Sequence, residues 1–420
     1  MINFIFFYYP IFVIISMVIQ MENILIIGAG PAGLTAAIVA ARNGKKVTII
    51  ERNSKCGKKL LLTGNGKCNF WNKEQNITHY HSSSPLIKNF ITEKRQNSVL
   101  SFFDSLGIVY KEKNNYYYPF TNQALTIYNA LLLECQKLGI KIINDITVEK
   151  IIKEDCFIIN PEKENIKAKT IIIAAGSKAM SKTGSDGLGY TLAKSLGHTI
   201  IKPLPSLVQL KGEESYFKNW SGIRSHVLAS LYIDNTLIKK EEGEVQLTNY
   251  GLSGICIFNL SGLAAKALDK NKKVEISLNF MSFTQNYKDF LKDLNKKSSN
   301  KTINELLEGF LNYKLIDIIL KKANIKRNLK LNTLSEIELN KLIENLTNFK
   351  IKITSTNTLE HAQVCLGGIP LEEINNETLE SLKVKNLYFV GEIIDIDGDC
   401  GGYNLGWAWM SGIVAGKNVK

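Results

Sequence analysis

The sequence predicts an α/β protein organised on a parallel sheet, and three observations carry that prediction. Between Asn23 and Glu51 a short apolar strand, a glycine-rich turn, an alanine-rich helix and a second β-branched strand follow one another. From Ile200 to Phe280, runs of strand character alternate with polar turns, and from Gln285 to Phe349 Leu and Ile recur at helical spacing among lysines. With 420 residues, 45% hydrophobic and 22% charged, the chain is long enough for two or three cores and lacks the bias of a disordered one.

The first twenty residues, "MINFIFFYYPIFVIISMVIQ", are apolar over most of a bilayer's thickness. They have no Lys or Arg for a signal-peptide n-region and no small-residue cleavage site. We expect Met21 to be the true start. A membrane anchor is the alternative, and a secretory signal is a third reading.

Asn23 to Ile27 then forms a strand, Leu34 to Asn43 a helix closed by Gly44, and "KKVTIIE" a strand ending on Glu51. The unit is a right-handed βαβ crossover. Gly28 permits the tight turn, Gly30 lets backbone approach a pyrophosphate, and Gly33 lets helix and strand pack closely. Free N–H groups at the helix start favour phosphate. Glu51, 23 positions after Gly28, is placed for ribose hydroxyls and disfavours a 2′-phosphate. The pattern specifies a dinucleotide; Pro31 and Ala32 within the turn lean towards FAD over NAD.

The seven cysteines are odd in number and scattered, with no CxxC pair and no zinc-type spacing. That argues against a disulfide reductase, gives no reason to expect a metal, and fits a reducing cytoplasm. The formal charge of +13 is concentrated between Lys266 and Lys330, where fifteen basic residues face seven acidic ones. Basic and acidic residues interleave there, as on a solvated helical face, so a nucleic acid is not the expected partner.

Three further segments carry a resemblance: "CGKKLLLTGNGKCNFWN" from Cys56, "IIIAAGSKAMSKTGSDGLGYTLAKSLGH" from Ile171 and "NLYFVGEIIDIDGDCGGYNLGWAWMSGIVAGK" from Asn386. Over Met21 to Lys420 the chain resembles the BaiN-like, or aminoacetone-oxidase-like, bacterial flavoproteins. That resemblance implies a Rossmann-like FAD-binding domain of the glutathione-reductase type, built from both chain ends, with an inserted small β-barrel part and a helical part. The boundaries expected are 21–195 with 357–420 for the FAD domain, 196–283 with 346–356 for the barrel, and 284–345 for the helices.

The cofactor-binding set expected for FAD is Gly28, Gly30, Pro31, Ala32, Gly33, Glu51, Arg52 and Lys59 from the first unit and its following loop. To these are added Gly64, Asn65, Gly66, Cys68 and Asn69 from the "TGNGKCN" loop, Val148 from the strand-like "DITVEKI", and Ala175 and Gly176. Gly391 and Glu392 close the Asn386–Val390 strand, with Glu392 accepting from cofactor hydroxyls. Gly402, Tyr403, Asn404 and Leu405 open the last helix, whose N-terminus is suited to the negative charge of a reduced flavin. Lys67 and Asn249 stand where the resemblance leads one to expect Arg and His, so no phosphate clamp and no histidine proton donor are carried over.

The activity implied is FAD-dependent oxidation or reduction of a small organic substrate. NADH- or NADPH-driven reduction of a conjugated C=C bond is preferred, and oxidation of an aminoacetone-like amine is the alternative. A non-catalytic flavin sensor and an RNA-directed flavoprotein are further rivals. Because no second strand-bound GxGxxG is present, the nicotinamide would visit transiently. Tyr403 as proton donor and Cys400 as nucleophile are the catalytic candidates.

Overall fold

The computed structural model describes residues 21–420, so the expectations for residues 1–20 lie outside the described residues. Five parallel strands form the centre of the first sheet, in the order Lys141–Ile143, Val47–Ile50, Glu22–Ile27, Ile166–Ile173 and Leu387–Phe389. Isoleucine runs such as Ile24–Ile27 and Ile171–Ile173 are buried on both faces, which is why they do not alternate with polar residues. An antiparallel pair, Ile151–Lys153 and Phe157–Ile159, shares the outer edge of the Ile166–Ile173 strand with Leu387–Phe389.

The C-terminal helix Tyr403–Asn418 packs directly on the helix Pro31–Arg42, joining the two chain ends. Glycine makes that approach possible. A Cβ at Gly412 would lie 2.6 Å from the Ala32 carbonyl oxygen, and one at Gly416 would lie 2.6 Å from that of Ala36. Two indoles fix the helix further, Trp407 Nε1 donating to the Gly391 carbonyl at 3.0 Å and Trp409 Nε1 to that of Phe70 at 2.9 Å.

The insert is reached through Ile201–Ser206 and left through Val364–Gly368, which pair antiparallel. Beyond them lies an antiparallel seven-stranded sheet running from Phe349–Ile353 to Ser355–Thr356. These two edge strands are consecutive in the chain, and the intervening Thr354 N–H donates to the Lys211 carbonyl, so the sheet curls nearly closed. Four helices between Tyr287 and Thr347 cover it, two of them started by capping boxes at Thr302/Glu305 and Ser335/Glu338.

Three departures from the sequence reading bear on the site. Ile255–Asp269, expected within a strand-rich stretch, is a 15-residue helix whose Cys256, Ile257, Leu260 and Ala264 pack into the insert core. Val148 is not in a strand: the Asn160 side chain accepts from the Glu149 and Lys150 amides and donates to the Thr147 carbonyl, taking the place of a sheet partner. Tyr110–Lys113 and Tyr116–Pro119 form a hairpin against Trp71–Asn72 that the sequence reading did not anticipate.

Candidate functional site

A cleft of about 660 Å³ runs from the carboxyl ends of the parallel strands to the insert, within the size range of cofactor sites. Two helix N-termini open on it: Pro31 and Ala32 begin one, and Gly402, Asn404 and Leu405 the other. Neither helix has a side-chain cap or an acid in its first turn, so the positive ends of both are available to an anion.

The glycines of the first turn differ in the space around them. Gly28 has φ +105°, and a Cβ there would meet the Ala174 carbonyl oxygen at 2.5 Å. At Gly33 a Cβ would lie 2.0 Å from the Gly28 carbonyl oxygen. At Gly30, which lines the cleft, a Cβ would meet nothing within 4 Å. Gly28 and Gly33 are required by close backbone contacts, whereas Gly30 leaves backbone bare towards open space.

Glu51, the residue after the Val47–Ile50 strand, is almost fully buried. Its Oε2 accepts the Ala29 N–H at 2.9 Å, and its Oε1 accepts the Asn53 N–H at 2.9 Å and the Asn53 side-chain amide at 2.7 Å. The carboxylate thus holds the glycine turn in place as well as facing the cleft. Arg52 pairs with Asp186 at 2.5 Å; against the cost of burial, this guanidinium and the Leu188 amide hold the Asp186 carboxyl below its usual range. Lys59 Nζ meets Glu392 Oε2 at 2.6 Å, and Ser177 donates to the same oxygen at 2.9 Å.

Of the residues expected at the cofactor, Gly28, Gly30, Pro31, Ala32, Glu51, Arg52, Lys59, Gly64, Asn65, Asn69, Val148, Ala175, Gly176, Gly391, Glu392, Gly402, Asn404 and Leu405 line one cleft. Gly33, Gly66, Cys68 and Tyr403 do not. Gly33 faces the strand; Gly66 turns its carbonyl to the Ala124 N–H at 2.7 Å. The Cys68 thiol is fully buried, and burial pushes it up to about 12. Asn404 lines the cleft while bracing its loop, accepting from the Gly398 N–H and donating to the Gly398 carbonyl.

Both catalytic candidates need correction. The Tyr403 hydroxyl donates to the Glu74 carbonyl at 3.0 Å, and its ring stacks on His79 at 4.5 Å and meets Tyr80 edge-on. Its hydroxyl is therefore already committed, and burial, with Asp399 and Glu74 nearby, raises its phenol. Cys400 does line the cleft, but burial and the neighbouring Asp399 and Glu241 push its thiol up to about 12, the opposite of an activated nucleophile. Asn249 lies exposed outside the cleft.

Part of the cleft lining was not legible in the sequence. Leu207, Ile255, Phe258, Gln363 and Val364 supply it from the insert, and Tyr116 and Tyr118 from the hairpin. The polar cluster behind Asp399 was not legible either. There His79 Nδ1 lies 3.1 Å from Asp399 Oδ2, and Lys239 Nζ and His81 Nε2 lie 3.3 Å and 3.6 Å from Asp399 Oδ1. The only signal in sequence was the run "YYYP", whose alternation places its first and third tyrosines on one face.

The HI0933-like protein Rossmann domain model matches residues 22–418. The chain belongs to the HI0933-like family. It is 36% identical, over 94% of its length and 98% of the relative's, to a 3-dehydro-bile acid delta(4,6)-reductase of Clostridium scindens. It is 29% identical, over 95% and 98%, to a ribosomal RNA dihydrouridine synthase of Haemophilus influenzae. Among solved structures it matches a flavocytochrome c3 fumarate reductase in its open conformation at 15% identity, over 95% of this chain and 78% of that one, with a TM-score of 0.48. The protein is an FAD-dependent oxidoreductase of this family. The cleft fits the cofactor: a bare backbone at Gly30, a carboxylate lining the cleft at Glu51 and two uncapped helix starts suit an elongated dinucleotide with a central pyrophosphate.

Proposed function

We propose that the protein reduces a C=C bond conjugated to a carbonyl in a small organic substrate, taking its electrons from NADH or NADPH. The observation that carries this reading is the apolar lining that the insert gives the cleft, Leu207, Ile255, Phe258 and Val364, among which Gln363 is the polar side chain. The near full-length likeness to a bile-acid reductase supports it.

In this reading Gly30 and the amides at the start of the Pro31–Arg42 helix hold the pyrophosphate. Glu51 takes ribose hydroxyls, with Ala29 kept in register by the same carboxylate. Val148 and Ala175 flank the adenosine. Glu392 accepts from a hydroxyl of the chain between phosphate and ring, with Lys59 and Ser177 orienting it. Gly402, Asn404 and Leu405 present the second helix start to the ring's electron-rich edge, an interaction worth about 0.3–2 kcal/mol depending on burial. When bound, FAD supplies hydride transfer; the protein positions it, excludes water and manages the proton.

A direct test is anaerobic mixing with NADH and with NADPH, followed by addition of androsta-4,6-diene-3,17-dione. Bleaching at 450 nm by a nicotinamide and recovery on adding the dienone are expected. Persistent colour with both nicotinamides, together with bleaching by aminoacetone, would replace the reductase with an amine oxidase. A second reading substitutes the uracil ring of an RNA, whose C5=C6 bond is likewise conjugated to a carbonyl. It draws on the dihydrouridine synthase relative and on the basic stretch Lys266–Lys330. It predicts that reduced enzyme is reoxidised by a ribosomal RNA transcript and not by the dienone, with a steep loss of rate as salt rises.

A further inference from the structure

Saturating a conjugated alkene requires a proton as well as a hydride, and Tyr403 does not serve, because its hydroxyl is committed to the Glu74 carbonyl. Asp399 reaches the cleft, but its two oxygens are engaged by His79, His81 and Lys239. The hairpin offers a different group. Tyr117 turns inward onto Phe70 and Tyr110, so its neighbours Tyr116 and Tyr118 emerge on the opposite face, and both line the cleft.

Tyr116 is the one set against the turn that precedes the C-terminal helix. A Cβ at Gly401 would lie 3.1 Å from Tyr116 Cε1, so the glycine is what lets the ring close on this turn. The turn itself is pinned by the Asn72 side chain, which donates to the Gly401 carbonyl at 2.9 Å. Among the described residues the Tyr116 hydroxyl has no hydrogen-bond partner, although the ring is half buried and such a hydroxyl normally finds one. Burial raises this phenol above its ordinary value, and Cys400 and Glu241 add to the effect, so the group is protonated at rest, and it is the free hydroxyl rather than this shift that sets it apart from Tyr403.

We propose that Tyr116 is the catalytic acid, its Oη–H delivering the proton that the substrate takes up at the carbon α to the carbonyl. The proposal rests on the conjugated-alkene reading above. One C=C π bond is replaced by two C–H bonds. The hydride and its electron pair come from reduced FAD, which is oxidised, and reach the β-carbon. The tyrosine O–H bond breaks as the α-carbon gains its hydrogen, and water in the cleft returns a proton to the phenolate.

The test is Tyr116→Phe, which keeps the ring against Gly401, with Tyr117→Phe on the opposite face of the same strand as a control for the fold. Each holoenzyme is reduced with dithionite and mixed anaerobically with androsta-4,6-diene-3,17-dione while flavin absorbance is followed. The limiting rate of reoxidation should fall by about 10²- to 10⁴-fold in Tyr116→Phe, the usual share of a general acid, and hold within about threefold in Tyr117→Phe. FAD content and reduction by nicotinamide should match wild type. Titration of the oxidised enzymes with dienone, read from the flavin spectrum, should give the same Kd within about threefold. A Tyr116→Phe rate within about threefold of wild type overturns the proposal while leaving the reductase standing, as does a defect confined to Kd. If wild-type enzyme is itself not reoxidised by the dienone, the alkene reading falls and the proposal falls with it.

Discussion

Replacing Glu51 with Gln tests the link between the glycine turn and the cofactor. The carboxylate takes three N–H donors, from the Ala29 backbone, the Asn53 backbone and the Asn53 side chain. A Gln has one acceptor oxygen. Turned towards Asn53 it satisfies two donors and sets its own NH₂ against the Ala29 N–H. The orphaned buried amide costs about 1–3 kcal/mol, and each of the two remaining bonds loses about 1 kcal/mol on becoming neutral, so the apo protein should be destabilised by about 3–5 kcal/mol. Loss of the charged acceptor for ribose should weaken FAD binding by roughly tenfold or more. Urea denaturation of the apoprotein and FAD titration of refolded apoprotein measure the two effects separately. A urea midpoint and a Kd for FAD both equal to wild type would refute the assignment of Glu51 as the residue that joins turn and ligand.

Other predictions follow from single contacts. Gly30→Ala should fold as a colourless apoprotein of normal thermal stability, because its Cβ meets nothing in the protein, whereas Gly33→Ala should fail to accumulate in soluble form because its Cβ meets backbone at 2.0 Å; circular dichroism beside the 450 nm absorbance separates the two. Gly412→Ala sets a methyl 2.6 Å from the Ala32 carbonyl oxygen and should cost about 1–3 kcal/mol in urea denaturation, despite the better helix propensity of Ala. His198 is buried and neutral, donating from Nδ1 to Glu373 and accepting from Ser381 at Nε2, and burial lowers its pKa although Glu373 opposes the shift. Below about pH 6.5 the unfolded chain therefore holds a proton that the folded state does not, so stability is full above that pH and is lost as pH falls towards the folded value. Unfolding free energies at pH 7.5 and 5.5 should converge between wild type and His198→Gln, and equal pH slopes would contradict the assignment.

Much of the cofactor half was legible because its constraints are local. Gly28, Gly30, Gly33 and Glu51 are fixed by a strand, a turn and a helix adjacent in the chain, where spacing alone dictates geometry. The substrate half was not. Val148 read as a strand residue because β-branched neighbours surround it, while the group that satisfies its flanking amides, Asn160, lies in a different segment. Tyr403 read as a cofactor-site residue because it opens the last helix, yet its side chain turns to Glu74 and His79.

The amino-acid sequence by itself determined that a dinucleotide turn exists, that an acid follows its second strand, and that a second glycine-rich helix start lies near the other end of the chain. Only the folded chain decided that Gly412 and Gly416 bring those two helices together, that Asp399 is enclosed by His79, His81 and Lys239, and that Tyr116 rather than Tyr403 offers a free hydroxyl to the cleft. Periodicity and turn chemistry act over a few residues and are written in order along the chain. Which hydroxyl is already bonded, and which is left facing open space, depends on partners tens to hundreds of positions away.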